Sequence, residues 1–213
     1  MSQKIIFSEQ LKFQYQKDSA ELAFENIQID KLQHTLLLGE SGSGKTTLLH
    51  LLSGLSRPKS GKVFIEDTDI YAMSESKLDK FRAQHLGFIF QEPHLLKNLS
   101  VLENILLAQY LGKQNQDKTR VIDLLDKLQI ADKAKSLPNE LSRGQAQRVA
   151  IARAIINNPK IVIADEPTAS LDDTNTNKVI DLLIETSSAY GATLVIATHD
   201  KRIKDSFSHT YKI

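Results

Sequence analysis

The segment Gly39–Thr46, with the sequence Gly-Glu-Ser-Gly-Ser-Gly-Lys-Thr, has the residue types and spacing of a loop that binds phosphate. Its glycines adopt backbone dihedral angles that other residues avoid, so successive N–H groups can turn inward around an anion. The segment follows a short apolar run and precedes a stretch with helical spacing, whose positive N-terminal end adds to the attraction. This context fits the pattern G-x-x-x-x-G-K-S/T and predicts a nucleotide site. A Gly/Ser-rich turn that matches by chance is the alternative.

The polar side chains of this loop have distinct roles in such a site. Lys45 would place its charge between the β- and γ-phosphates, Thr46 would offer its hydroxyl to Mg²⁺, and Thr47 lies within reach of the α-phosphate. The predicted nucleotide-binding residues of the segment are Gly39, Glu40, Ser41, Gly42, Ser43, Gly44, Lys45, Thr46 and Thr47. The loop alone predicts that a nucleotide binds and leaves the reaction open.

A second apolar run, Ile161–Ala164, ends in the two carboxylates Asp165 and Glu166. A carboxylate at this position, beside a phosphate loop, can hold Mg²⁺ through water, and we assign that role to Asp165. Glu166 would point to a different side of the strand end, where it can polarise an attacking water as a catalytic base. The alternative is an Asp-Glu pair that begins a solvated loop before Pro167.

A histidine follows a third run of the same kind, since Thr193–Ala197 leads into Thr198 and His199. The carboxyl end of a parallel strand is where open α/β sheets bind ligands. His199 would suit a hydrogen bond to the γ-phosphate and to the attacking water. A surface histidine, or a core histidine with its partners satisfied, is the alternative.

The elements that must position these residues alternate between strands and helices. Short strand-type runs occur at Ile5–Phe7, Leu11–Tyr15, Ala23–Ile29, Thr35–Leu38, Lys62–Ile65, Gly87–Phe90, Ile161–Ala164, Thr193–Ala197 and His209–Ile213. Helical spacing of apolar residues predicts helices over Thr46–Leu52 and Asp172–Ala189, and three more between Ser100 and Ile156. The sequence therefore predicts an α/β domain interrupted by a helical insert of about sixty residues.

Composition excludes several classes of protein. The 213 residues include 27 basic and 26 acidic side chains, and this balance does not suit a dedicated nucleic-acid binder. The absence of cysteine excludes disulfides, thiolate zinc sites and cysteine nucleophiles. No apolar run approaches the length of a membrane span, and the N-terminus lacks the pattern of a signal peptide, so we expect a soluble protein.

The segment Leu-Ser-Arg-Gly-Gln at 141–145, just before a helix and the acidic strand, completes a set of motifs. With it the chain resembles, over essentially its whole length, the nucleotide-binding subunits of ATP-binding-cassette (ABC) transporters. Gly39–Thr46 is similar to the Walker A motif of that family, and Ile161–Glu166 to its Walker B motif. Gln91 is similar to the Q-loop glutamine, 170–172 to the D-loop, and His199 to the switch histidine. Tyr15 lies where the family has an aromatic residue that stacks on adenine.

The resemblance implies an α/β fold of the P-loop NTPase class, of the ABC ATPase type, with a mixed sheet core, an N-terminal antiparallel β part and an inserted helical subdomain. One nucleotide-binding domain would span 1–213, with the core at about 1–91 and 157–213 and the helices at about 92–156. Gln91 would link the two parts and reach Mg²⁺, which makes it a catalytic and metal-site residue together with Glu166 and His199.

The resemblance also implies an ATP hydrolase that dimerises head to tail around two ATP molecules. The signature of one subunit then contacts the ATP of the other, through Ser142, Arg143, Gly144, Gln145 and Asp172. Arg143 stands where the family usually has glycine, so it would be strained if that position required a positive φ. We expect it to face the partner's triphosphate or the dimer seam.

Partner and branch follow from the same resemblance. Leu86–Gln91, with Leu95 and Leu96 beyond it, looks like the group of lipoprotein-releasing, macrolide-exporting and haem-exporting subunits. A bacterial transmembrane permease would then be the partner, with this chain on the cytoplasmic face of the membrane. The segment Gln91–Leu95 would receive a permease helix, unless Leu95 and Leu96 are buried in the insert.

Other functions of the same cassette stay open. It could act as a regulatory ATPase that signals through a permease-like partner, in cell division or antibiotic sensing, without transport. A soluble ATPase of DNA repair or translation is disfavoured, because only 120 residues (165 − 45) separate Lys45 from Asp165 and no cysteine zinc module is present. A plain phosphate-loop kinase would need neither the signature nor His199. The cargo and the direction of transport cannot be read from these residues.

Overall fold

Two five-stranded sheets, one antiparallel and one parallel, form the centre of the computed structural model, which describes residues 3–16, 18–169 and 171–213. The strands are β1 Lys4–Phe13, β2 Leu22–Ala23, β3 Gln28–Asp30, β4 Thr35–Leu38, β5 Ser60–Ile65, β6 Thr68–Asp69, β7 Leu86–Ile89, β8 Ile161–Asp165, β9 Thr193–Thr198 and β10 His209–Lys212. The α-helices are α1 Lys45–Leu52, α2 Glu75–His85, α3 Val101–Leu111, α4 Lys118–Lys127, α5 Arg143–Ile155 and α6 Asp173–Ala189. Short 3₁₀ turns connect several of them.

The parallel sheet has the strand order β10-β4-β9-β8-β7, and every neighbouring pair in it is parallel. Leu38 of β4 pairs with Thr198 of β9, and Asp165 of β8 pairs with Ala197 of β9. The carboxyl ends of these strands therefore share one edge of the sheet. The phosphate loop, His199, the two carboxylates and Gln91 follow that edge in this order.

Both faces of the parallel sheet are buried, which explains why its strands read as uninterrupted apolar runs. Alternate residues enter two different hydrophobic clusters because side chains alternate between the faces of a strand. Residues packed with α3, α4, α5 and α6 are Leu36, Leu38, Val162, Ala164, Leu194 and Ile196. Residues packed with α1, α2 and the antiparallel sheet are Leu37, Ile161, Ile163, Val195 and Ala197. The helical insert thus shares its core with one face of the sheet.

The first strand corrects the sequence prediction, which placed two strands at Ile5–Phe7 and Leu11–Tyr15. β1 is continuous, but Gln10 has a φ of 47° and the register with β5 shifts there. Gly61 on β5 has a φ of 99°, and a Cβ at this position would lie 2.5 Å from the carbonyl oxygen of Glu9. A bulge of this kind breaks the alternation of polar and apolar residues on which the prediction depends.

The N-terminal half departs from the sequence prediction in further places. The run Ala23–Ile29 is not one strand, because only β2 and β3 at its ends pair with β1. Helix α2 was not predicted, and Leu78 is its one fully buried residue. An amphipathic pattern cannot show in a helix that covers so little of the core. Strand β6 was not predicted either; the remaining α-helices and strands agree with the predicted ones to within a few residues.

No helix in the described ranges is long and apolar enough to pass through a membrane.

Candidate functional site

The phosphate loop joins β4 to α1 and brings its lysine back onto its own backbone. Gly44 is the N-cap of α1 with a φ of 98°, a conformation that favours glycine. The ammonium group of Lys45, in a side chain only 5% exposed, donates to the carbonyl oxygens of Gly39 at 3.0 Å and Glu40 at 2.7 Å. Ser43 Oγ is buried and has no hydrogen-bond partner. The loop therefore holds a buried cation and an unsatisfied hydroxyl, which suits a phosphate ligand.

The predicted magnesium residues meet directly, since the hydroxyl of Thr46 donates to the carboxylate of Asp165 over 3.2 Å. Burial raises the pKa of Asp165, and the hydrogen bond from Thr46 lowers that pKa only in part. Within the described ranges no group of three or more His, Cys, Asp or Glu could hold a metal ion. Thr46 would bind Mg²⁺ through its hydroxyl and Asp165 through water, and the other ligands would be phosphate and water oxygens, as is usual for this ion. The pair fits Mg²⁺ that arrives with a nucleotide.

Glu166 lies in a dense network at the same edge. Its φ of 46° is rare for a residue other than glycine and turns the chain sharply after β8. One carboxylate oxygen, Oε2, accepts from the Thr198 hydroxyl at 2.7 Å. The other, Oε1, lies 2.9 Å from His199 Nδ1, 3.2 Å from the His199 amide nitrogen and 3.9 Å from Lys45 Nζ. The structure thus brings both predicted catalytic residues into contact beside the phosphate loop.

Tyr15 extends from the end of β1 toward the phosphate-loop helix. Its hydroxyl and that of Thr47 form a short hydrogen bond, and its ring packs edge-on against Phe13 at a centroid distance of 4.8 Å. The ring is 67% exposed, so one face is open to a planar ligand. Since Thr47 is predicted to lie near the α-phosphate, the adenine of a bound nucleotide would be within reach of Tyr15.

The signature segment forms the start of α5. Ser142 is the N-cap: its hydroxyl accepts from the amide of Gln145 at 3.3 Å, and the Gln145 side chain accepts from the Ser142 amide at 2.9 Å. This reciprocal pair is a capping box, the physical reason for serine and glutamine three positions apart. It also occupies the Gln145 amide that we expected to face an anion. The amide of Gly144, whose residue is exposed, stays a candidate for that contact.

Arg143 is not strained at its unusual position. It is the first residue of α5 and is absent from the described residues with positive φ. Its guanidinium Nη2 donates to the carbonyl oxygen of Ala169 at 2.8 Å. The side chain therefore contacts the loop after Glu166 of the same chain.

Among the described residues, no hydrogen bond joins Gln91 or Asp172 to Thr46 or Asp165, so the predicted contact of Gln91 with Mg²⁺ stays a prediction. Gln91 is exposed and lines, with Ser142 and Arg143, a cavity of about 390 Å³ beside α5 and α6. Asp172 is the N-cap of α6, and the hydrogen bond from the Asn175 amide, at 2.8 Å, holds the pKa of that carboxyl below its usual value. Ser170, the first residue of the predicted D-loop, lies outside the described residues.

Sequence reasoning missed three residues that organise the site. Thr198 binds Glu166, Arg202 contacts Leu171, Asp173 and Asp200, and Arg153 donates to the carbonyls of Pro93 and His94. Thr198 precedes His199 directly, so its position in the sequence could have identified it as a site residue. Apart from the contact of Arg202 with Asp200, the arginine contacts join segments far apart in sequence and gave no signal.

The predicted permease-binding segment needs a correction at Leu95. This side chain is partly buried and packs against the core cluster beneath α3 and α5, whereas Leu96 is 50% exposed. Leu95 therefore contributes to the fold. An apolar groove of about 320 Å³, lined by Phe88, Phe90, His94, Leu111 and Arg153 among others, lies next to it.

A family model described as ABC transporter matches residues 25–169. The lipoprotein-releasing system ATP-binding protein LolD of Buchnera aphidicola subsp. Acyrthosiphon pisum is 41% identical over 190 residues, which cover 88% of this chain and 83% of that protein. The dimeric structure of MJ0796, a bacterial ABC transporter cassette, has a TM-score of 0.85 and 30% identity and covers 98% of this chain and 94% of that one. The dimeric post-hydrolysis state of MJ0796, bound to ADP and Pi, has a TM-score of 0.85, 29% identity and the same coverage.

Replacing Glu166 with Gln should lower ATP turnover by ~10² or more, because the amide keeps the size of the side chain and removes the proton acceptor. ATP binding should be retained, since the phosphate loop is untouched. Steady-state phosphate release and equilibrium binding of ATP measure the two effects. Glu185→Gln, an exposed carboxylate on α6, is the matched control. Undiminished turnover in Glu166→Gln would contradict the assignment.

Replacing Asp165 with Asn should raise the melting temperature of the nucleotide-free protein near pH 7.5. Burial raises the folded-state pKa of this carboxyl, so its charge destabilises the fold above that pKa, and the destabilisation disappears as the pH falls below the unfolded value of about 3.9. A gain of ~1 kcal/mol would appear as a rise of about 2–4 °C. The same variant should lose the further stabilisation by ATP with Mg²⁺. Thermal melts with and without both ligands, at several pH values, test this; a lower melting temperature in the apo variant contradicts it.

Replacing Tyr15 with Ala should weaken ATP binding by ~1–3 kcal/mol, the range for stacking of bases on aromatic rings. Tyr15→Phe keeps the ring and loses only the hydrogen bond to Thr47, so its affinity should stay close to that of the parent. Fluorescence titration with a labelled nucleotide distinguishes the two. If Phe13→Ala weakens binding and Tyr15→Ala does not, the wrong aromatic residue has been assigned.

Proposed function

The chain belongs to the ABC transporter family as an ATP-binding, ATP-hydrolysing subunit, and we propose that it closes around two ATP molecules with a second copy and thereby drives a separate membrane permease. The family and the predicted α/β fold of the ABC ATPase type are confirmed. The single domain with its helical subdomain, the homodimer, Mg²⁺ and the permease are parts of the proposal. Attachment to the cytoplasmic face of the membrane would follow from the permease contact.

The observation that carries the proposal is the division of the site between two places. The phosphate loop, Asp165, Glu166 and His199 adjoin one another, joined by contacts of 2.9 to 3.9 Å. The start of α5 at Ser142 is exposed, and among the described residues no hydrogen bond or ion pair joins Ser142 to the phosphate loop, Asp165, Glu166 or His199. An exposed helix N-terminus with a free amide suits an anion that this chain does not itself hold there. A second copy would supply that anion as its bound ATP, and the relative MJ0796 has a dimeric structure.

The chain's own residues can perform the hydrolysis that the family carries out. Lys45 and the loop amides bind the triphosphate and fix its γ-phosphate near Glu166. Mg²⁺ held by Thr46 and Asp165 would neutralise developing charge on the phosphate oxygens. A carboxylate has about four hydrogen-bond acceptor positions, and Glu166 uses three, for the Thr198 hydroxyl and for the amide and ring of His199. The fourth is free to accept a proton from water, while the same contacts hold the carboxylate in place.

The apolar groove beside Leu95 is the proposed contact for the permease. Phe88, Phe90 and Leu111 form its wall, and Leu111 and neighbouring Tyr110 are 59% and 66% exposed. A short cytoplasmic helix of the permease with apolar residues on one face would cover these side chains. Arg153 lines the groove and binds the backbone of Pro93 and His94, close to Gln91. The occupant of the groove would therefore contact the segment that joins the core to the helical insert.

The transport direction is proposed from the relatives. The protein of Buchnera aphidicola is named as part of a lipoprotein-releasing system. We infer export, or mechanical work on the far side of the membrane. The permease, and not this chain, would determine which cargo is moved. Regulatory signalling through a permease-like partner is the second candidate, since it would use the same ATP site and the same groove.

Replacing Ala83 with Trp should abolish association with the permease, because Ala83 lines the groove and a bulky ring would fill it. ATPase activity of the purified chain should change less than twofold. The measurement is affinity purification of the tagged chain from native membranes, with the permease identified by mass spectrometry. Ala189→Trp, an exposed alanine at the end of α6, is the control and should retain the permease.

If Ala83→Trp recovers as much permease as the parent, the groove is not the permease contact. If the parent recovers no membrane protein, the proposal that the chain has a permease partner is contradicted. A recovered partner whose deletion changes gene expression or division without altering any export would favour the regulatory candidate.

A further inference from the structure

Arg143 contacts the loop that carries the catalytic glutamate. Its Nη2 donates to the carbonyl oxygen of Ala169 at 2.8 Å, three residues after Glu166. The amide of Ala169 in turn donates to the carbonyl of Glu166 at 3.2 Å, and the amide of Leu171 donates to Thr168 at 3.1 Å. The guanidinium of Arg143 therefore binds the last residue of a turn that begins at Glu166, the proposed catalytic base.

The same loop is held from its other side by a second arginine. Arg202, in the turn after His199, donates to the carbonyl of Leu171 at 3.3 Å and pairs with Asp173 and with Asp200. The loop thus lies between one guanidinium on α5 and one on the turn after β9. Removing either contact would leave the loop fixed at one end only.

We propose that Arg143 is a positioning residue that makes Glu166 move together with the start of α5. The inference rests on the proposed function, in which Ser142 serves the partner's ATP and Glu166 serves the ATP of its own chain. The Arg143–Ala169 bond then joins the two ATP sites through a contact within one chain. A glycine at position 143 has no side chain with which to make it.

The contact differs in kind from the role that the sequence predicted for Arg143. A guanidinium that served only the partner's phosphates would act through its charge, and only in the dimer. The bond to Ala169 is present in a single chain without nucleotide. The two roles therefore separate in an experiment on the nucleotide-free protein.

Hydrogen exchange followed by mass spectrometry is the first test. Arg143→Met keeps an unbranched side chain and a good helix former while removing every side-chain donor. Exchange in the 167–172 segment of the nucleotide-free protein should become about three- to tenfold faster, as expected when one exposed hydrogen bond of ordinary net strength is lost. Arg143→Lys keeps one donor and should restore most of the protection.

Lys178→Met is the matched control. Lys178 is an exposed cation on the wall of the same cavity, and no hydrogen bond joins it to the described residues of the loop. Its variant should leave exchange in 167–172 unchanged. Equal exchange in parent and Arg143→Met, or an equal increase in Lys178→Met, would overturn the proposal.

Steady-state kinetics provide the second test. Arg143→Met should lower kcat by about three- to tenfold and change KM for ATP less than twofold, since the loop moves Glu166 and leaves the phosphate loop intact. Arg143→Lys should recover most of kcat. A raised KM with unchanged kcat, or unaltered exchange combined with salt-dependent loss of ATP-driven dimerisation, would assign Arg143 to the partner's phosphate and overturn the proposal. A parent without ATPase activity would contradict the proposed function instead, and the exchange test would still stand.

Discussion

Parallel pairing of β4, β9, β8 and β7 is the constraint on which the rest of the molecule depends. Parallel strands end at a common edge and lie about 4.8 Å apart, so the residue after each strand is a neighbour of the residue after the next. The register that pairs Leu38 with Thr198 and Asp165 with Ala197 fixes Lys45, His199 and Glu166 within a few ångströms of one another. Both faces of this sheet must be covered to keep it buried. The antiparallel sheet with α1 covers one face, and the inserted helices cover the other.

The site that results has its charges close together before any ligand arrives. Lys45 is bound by carbonyl oxygens of its own loop and stands 3.9 Å from Glu166, and burial raises the pKa of Asp165. A partly buried carboxylate at Asp165 and an unpartnered hydroxyl at Ser43 both weaken the empty site, and in the proposed complex both would gain partners from phosphate and Mg²⁺. Groups held in place in advance need little reorganisation during the reaction, which is how fixed dipoles and charges accelerate it. The unsatisfied groups of the site therefore lower the stability of the nucleotide-free fold, and their pairing with the ligand would strengthen binding.

The sequence predicts those parts of the fold that depend on local pattern. The apolar strands, the phosphate loop and α5 follow from runs and periods that neighbouring residues define. The capping box of Ser142 with Gln145 was not predicted, although its two residue types are a local pattern. The bulge at Gln10 was missed because it depends on the close approach of Gly61 from another strand. Helix α2 was missed because it buries Leu78 and little else. The Arg143 contact with Ala169 could not be predicted, since 26 residues separate the two and an exposed arginine has no pattern that reveals its acceptor.

Helix α5 connects the two proposed partner surfaces. Ser142 and Arg143 stand at its start, on the surface proposed for the second copy, and Arg153 stands in its last turn, on the groove proposed for the permease. About 15 Å separates the two arginines along the helix axis, at 1.5 Å per residue. Burial lowers the pKa of Arg153, and its charge is retained by two carbonyl oxygens of the segment after Gln91. Because Val149, Ile151, Ala152 and Ile155 are fully buried against the sheet and the neighbouring helices, α5 cannot bend without opening the core. In the proposed function, a displacement at the groove would therefore move the whole helix, and Arg143 would carry that movement to the loop of Glu166.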